Sequence, residues 1–177
     1  MTALGSAVRA VLDRLYLAGG IIAACFLIAI LVIIVLQMAA RWTGHVFPGS
    51  TDYAGYCMAA ASFFAFAHAL SRGAHIRVSL LLTKLGRFRR WGEIWCFTIG
   101  SALACYFAYY AIRAVYWSRK LHDISQGQDA TPIWIPQLAM AAGTVLLAIA
   151  LVDNLVRLVL VGKHGIETET VEQSHGE

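Results

Sequence analysis

The stretch from Leu15 to Ala40, LYLAGGIIAACFLIAILVIIVLQMAA, runs without a charge between Arg14 and Arg41. A helix needs about 20 apolar residues to cross the ~30 Å hydrocarbon core of a bilayer. This run exceeds that length and carries charges only at its borders, so it predicts a transmembrane helix. Arg9 and Arg14 ahead of an apolar run also have the form of a secretory signal, but the run is too long for one. Ile22-Ala23-Ala24-Cys25 has the look of a lipoprotein cleavage box, yet the residues after Cys25 are more membrane sequence. The stretch is therefore read as a span of the protein.

Working outward, three further apolar blocks succeed it: one rich in alanine between Asp52 and Arg72, one between Glu93 and Arg113, and one from Asp129 to Asp153 continuing to about Val161. The predicted spans are 15–40, 53–71, 92–117 and 134–161, in an all-α integral membrane protein with four transmembrane helices. The 177-residue chain is 59% hydrophobic and 14% charged, where globular domains are roughly 45–50% and 25%. One membrane domain, residues 1–177, accounts for the whole, ending in a solvated acidic tail at about 164–177 that carries Glu167, Glu169, Glu172 and Glu177.

With four spans, the N-terminus, the second connection and the C-terminus share one side. Arg9, Arg14, Arg72, Arg77, Lys84, Arg87, Arg89, Arg90, Arg157 and Lys163 lie there, against Arg41, Arg113, Arg119 and Lys120 on the other. Positive charge is retained in the cytoplasm, so both termini are expected inside. The aromatics suggest matching belts, with Trp42, Trp117 and Trp134 at the outer boundary and Tyr16, Trp91 and Trp95 at the inner one. The formal charge of +4 is then explained by a basic connection facing anionic lipid. No nucleic-acid motif is present.

That connection opens with Ser71-Arg72-Gly73, a stop and turn. Beyond it, Val78, Leu81, Leu82 and Leu85 share one side of a helical projection, while Arg77, Thr83, Lys84 and Arg87 share the other. The pattern predicts a short amphipathic interfacial helix between the second and third spans, at about 76–90. His75, Arg77, Lys84, Arg87, Arg89 and Arg90 supply the basic groups of this segment. On the opposite side, 42–51 and 118–136 read as loops with Gly44, Pro48, Gly49, Gly127, Pro132 and Pro136 as breakers. The second is polar around Asp123 to Thr131 and offers the larger surface for a soluble partner.

Chemistry is sparse. Cys25, Cys57, Cys96 and Cys105 stand singly in apolar blocks and lack the paired spacing of redox or zinc sites. A haem anchor needs facing axial imidazoles, but only His68 lies in a span; His75 is seven residues on, and His45 and His122 are in loops. The span centres carry no ionisable group of the kind that marks a self-sufficient transporter. Asp153 and Arg157 have the spacing of an i,i+4 pair near a helix end. No enzyme activity, cofactor or metal is expected. A membrane anchor for a redox enzyme and a free-standing small transporter are the competing readings.

The spans do carry small residues at four-residue spacing: Gly20 and Ala24; Ala61, Ala65 and Ala69; Gly100, Ala104 and Ala108; Ala139 and Gly143. Such stripes let helices approach closely, either within the chain or against a partner.

The segment Ala69–Leu81, ALSRGAHIRVSLL, resembles the stretch after helix two in the small, DctQ-like membrane subunit of tripartite ATP-independent periplasmic (TRAP) transporters. Asp52 just before the second span and Thr131-Pro132-Ile133-Trp134-Ile135-Pro136 leading into the fourth are similar to that family too. Ser79 departs from it, since relatives often have an acidic residue there. The resemblance runs from about Tyr16 to Arg157. It implies an inner-membrane subunit that braces a large subunit holding substrate and sodium and moving in an elevator-like cycle, while a periplasmic binding protein delivers the ligand, an organic acid. Under that implication Gly20, Ala24, Ala61, Ala65, Gly100, Ala104 and Ala108 are expected to meet the large subunit. Arg113, Trp117, Arg119, Lys120 and Gln126 are expected to form a docking surface for the binding protein.

Overall fold

The described residues form four long helices, and caps, more than the borders of the apolar blocks, set where the first and third of them end. In the computed structural model, which describes residues 3–71, 89–128 and 130–161, these are α1 (Ala3–Trp42), α2 (Ser50–Ser71), α3 (Arg89–Leu121) and α4 (Trp134–Val161). All four are long and apolar enough to cross a membrane, and the described residues contain no strand.

α1 has 40 residues, so it is about 60 Å long at 1.5 Å per residue and outruns the hydrocarbon core. Its first turns continue the helix ahead of the apolar run, and Arg9 pairs with Asp13 at 3.8 Å there. The far end closes in a Schellman motif. His45 donates its N–H to the Ala40 carbonyl at 2.9 Å and Gly44 donates to Arg41 at 3.3 Å, with Gly44 at φ +75°. Glycine takes that left-handed position without a Cβ clash. Thr43 adds its hydroxyl to the Ala39 and Ala40 carbonyls.

α3 ends in the same way, one helical turn later than the predicted span 92–117. Asp123 donates to Ser118 O at 3.0 Å, and His122 takes the left-handed position at φ 55°. Ser118, Arg119 and Lys120, read from sequence as loop, are therefore helical, because no glycine or proline interrupts the chain before Gly127. α4 opens at Trp134, with Pro136 in its first turn, where a proline lacks no needed donor.

Across the molecule the helices are arranged in the order α1, α2, α4, α3, with only slight contact between α1 and α4. Close approach rests on glycines. A Cβ on Gly143 would lie 2.6 Å from the Phe63 carbonyl carbon, and one on Gly20 would lie 2.9 Å from the His68 ring. Tyr16, Ala67, Leu70 and Ala150 form one buried cluster across α1, α2 and α4. Ala104, Ala108 and Ala148 form another between α3 and α4.

Two expectations change. Tyr16 is buried in the first cluster, so it is a core residue and not part of an interfacial belt: the helix ahead of it carries it inward against α2 and α4. Among the described residues, the i,i+4 ion pair forms at Arg9–Asp13 and not between Asp153 and Arg157. The expected interfacial segment lies outside the described residues, His75, Arg77, Lys84 and Arg87 included, except that Arg89 and Arg90 open α3. The acidic tail also lies outside them.

Candidate docking surface

At the end of the molecule that carries both described loops, residues 122–128 and 130–133 fold back on one another. Ser125 donates its N–H to Thr131 O at 2.8 Å and Ile133 donates to Asp123 O at 3.0 Å, around an antiparallel bridge between Ile124 and Pro132. Ala130 sits at φ 48° at the tip. The hairpin is tied to α2 at two points. The Tyr56 hydroxyl donates to Ser125 Oγ at 2.7 Å, and the Gln128 N–H donates to Asp52 Oδ2 at 3.2 Å. Asp52 lies in the first turn of α2, where its charge also complements the helix dipole.

Beside the hairpin, the last turns of α3 display cations held against aromatic rings. The Arg119 guanidinium lies 5.8 Å from the Trp134 ring centre, and Lys120 Nζ lies 5.0 Å from that of Trp117. Both are exposed, as are Arg113 and Gln126. The loop end therefore presents exposed cations, Arg119 and Lys120, beside a hairpin bonded to α2.

The small-residue stripes divide. Ala61, Ala104 and Ala108 are buried in the chain's own helix packing, leaving their side chains almost no surface for another protein. A Cβ on Gly100 would lie 3.8 Å from Leu151, and one on Gly20 would meet the His68 ring. Ala65 is half-buried, and Ala24 is exposed. The buried line on α1 is Tyr16, Gly19 and Ala23, one residue out of register with the pair that spacing suggested.

The outer helices have unlike outer faces. That of α1 is aliphatic, with Leu27, Ile28, Leu31, Val32, Val35 and Leu36 exposed. That of α3 mixes aliphatic side chains, Ile99 and Leu103 among them, with tyrosines: Tyr106 is 63% exposed, Tyr109 59% and Tyr110 47%, with Tyr106 and Tyr110 ring centres 4.6 Å apart. Sequence reasoning did not single out these tyrosines. Their signal is the spacing 106, 109, 110, 113, which sets three hydroxyls and a guanidinium on one side of a helix.

Among the described residues no group of three or more His, Cys, Asp or Glu could hold a metal ion. His45 is exposed and bonds to Thr43, whereas His68 packs against Gly20.

No curated protein and no solved structure matches the chain. Residues 30–161 match the model of a family described as tripartite ATP-independent periplasmic transporters, DctQ component. The matched region takes in the end of α1, all of α2, α3 and α4, and the braced hairpin. With four helices fit to span a membrane and most of its length matched, the chain belongs to the DctQ family and is a small membrane component of a TRAP transporter.

Proposed function

We propose that the chain sits in the bacterial inner membrane with both termini in the cytoplasm. There it braces the large, sodium-coupled membrane subunit of the transporter and helps dock the periplasmic binding protein that delivers an organic acid. The single observation that carries the docking role is the hairpin 122–133, bonded to Tyr56 and Asp52 of α2. Loops without such ties move freely, and a binding surface gains from being ordered beforehand. Arg119, Lys120 and Gln126 form the exposed rim, with Trp117 about one turn deeper on α3; Arg113, a further turn down, lies at membrane depth and outside the reach of a soluble partner.

The bracing role is supported by the glycine-mediated packing of α1, α2 and α4, since a rigid unit can serve as a scaffold. The segment at 76–90 sets the depth and tilt of this unit through its basic and apolar sides, a reading that rests on sequence pattern. Reconstitution tests the whole. The large subunit, binding protein and this chain together take up the acid, and omission of this chain abolishes uptake. Full uptake without it refutes the role.

A further inference from the structure

The outer face of α3 is aliphatic at Ile99 and Leu103 but carries, from Tyr106 to Arg113, polar groups unsuited to lipid. Tyr106 lies eleven residues from Trp95 and eleven from Trp117, so the two tryptophans stand about 33 Å apart along the helix. That is close to the hydrocarbon thickness, with Tyr106 at its middle. Tyr106, Tyr109, Tyr110 and Arg113 all lie on the side of α3 turned away from Ala104 and Ala108, which pack on α4. Short membrane-depth hydroxyls can fold back on their own helices, as Ser62 Oγ does to Met58 O at 2.9 Å and Thr98 Oγ1 to Ile94 O at 2.7 Å, although Ser101 Oγ, buried against α4's side of α3, does not. A tyrosine hydroxyl, carried at the far end of a ring, has no such escape. Among the described residues, Tyr106, Tyr109 and Tyr110 have no hydrogen-bond acceptor and Arg113 has no ion-pair partner. Lipid tails offer neither, and in hydrocarbon an unsatisfied donor or charge is strongly disfavoured.

We propose that the Tyr106, Tyr109, Tyr110 and Arg113 face of α3 is the seam for a transmembrane helix of the transporter's large membrane subunit. That helix supplies oxygen acceptors to the tyrosines and a carboxylate opposite Arg113. The aliphatic face of α1 is left to lipid. The proposal rests on the chain's reading as a transporter subunit and narrows it to one helix face. Charge complementarity selects the occupant: a cation about one turn inside Trp117, with hydroxyls descending to the midplane, fits a polar protein helix and not acyl chains.

The test uses the complete transporter in membranes. A photoreactive benzoylphenylalanine replaces Tyr106 in one sample and Leu31, on the exposed face of α1, in another. Irradiation is expected to give an adduct with the large subunit from position 106 and only lipid adducts from position 31. Separately, combined Tyr106→Phe, Tyr109→Phe and Tyr110→Phe, which keeps the rings and removes the hydroxyls, lowers retention of the large subunit about tenfold with helical content unchanged. Protein adducts from position 31 alone, or undiminished retention by the phenylalanine variant, overturn the seam while leaving the subunit role intact. A wild-type chain that retains no large subunit overturns that role and the seam with it.

Discussion

The hydroxyl of Tyr56, in the second turn of α2, donates to Ser125 Oγ at 2.7 Å across 69 residues of sequence. It joins the start of one helix to the loop between two others. With the Gln128 to Asp52 bond it makes the hairpin part of the helical unit.

Tyr56→Phe removes one of these two ties and leaves the ring packing. A hydrogen bond of this kind contributes about 0.5–1.5 kcal/mol, so amide exchange at Ser125, Gly127 and Gln128 is expected to quicken roughly 2- to 13-fold. Exchange in the middle of α2 stays unchanged. Equal acceleration in both places would show that the bond supports the whole bundle and not the hairpin.

Two glycines separate packing from propensity. Gly143→Ala places a Cβ 2.6 Å from the Phe63 carbonyl carbon, which forces α2 and α4 apart and destabilises by about 1–3 kcal/mol. Gly55 has nothing within 4 Å of its Cβ position, so Gly55→Ala is neutral or stabilising by up to about 1 kcal/mol. Thermal unfolding in detergent should lower the midpoint for the first variant and keep or raise it for the second.

Arg119→Glu with Lys120→Glu reverses the charge beside the hairpin without touching the buried packing. Uptake driven by the binding protein is expected to fall at least about tenfold, with the loss concentrated in the apparent affinity for that protein and reduced at high salt. The large subunit remains bound. Uptake at the wild-type rate would remove these two cations from the docking surface.

The four helices were legible because each apolar block is long enough to span a bilayer, and that length alone decides the matter. Even the alanine-rich α2 is explained by it. The ends were less legible: α3 continues to Leu121 because a Schellman bond from Asp123 to Ser118 closes it there, and such bonds depend on the returning chain. Spacing exposed the small-residue stripes but not their direction. Ala104 and Ala108 turn inward while Ala24 turns outward, since the order α1, α2, α4, α3 is a tertiary fact with no local signature. The Tyr56–Ser125 tie was invisible for the same reason.

Ala24→Leu and Ala104→Leu turn that difference into an experiment. Ala104 is buried against α4, so a leucine there overfills the packing and destabilises by about 1–3 kcal/mol. Ala24 is exposed, and a leucine there leaves the stability within about 0.5 kcal/mol of the wild type. Thermal unfolding in detergent compares the two. Comparable losses from both would mean that α1 is more enclosed than its surface indicates.

The central claim is that this chain works as one membrane component of a larger transporter, and native mass spectrometry of the gently purified tagged protein tests it most directly. The account predicts a complex in which the 19.3 kDa chain is joined by one larger polytopic membrane protein, without haem absorbance. The chain alone, or bound to a haem-bearing redox enzyme, would contradict it.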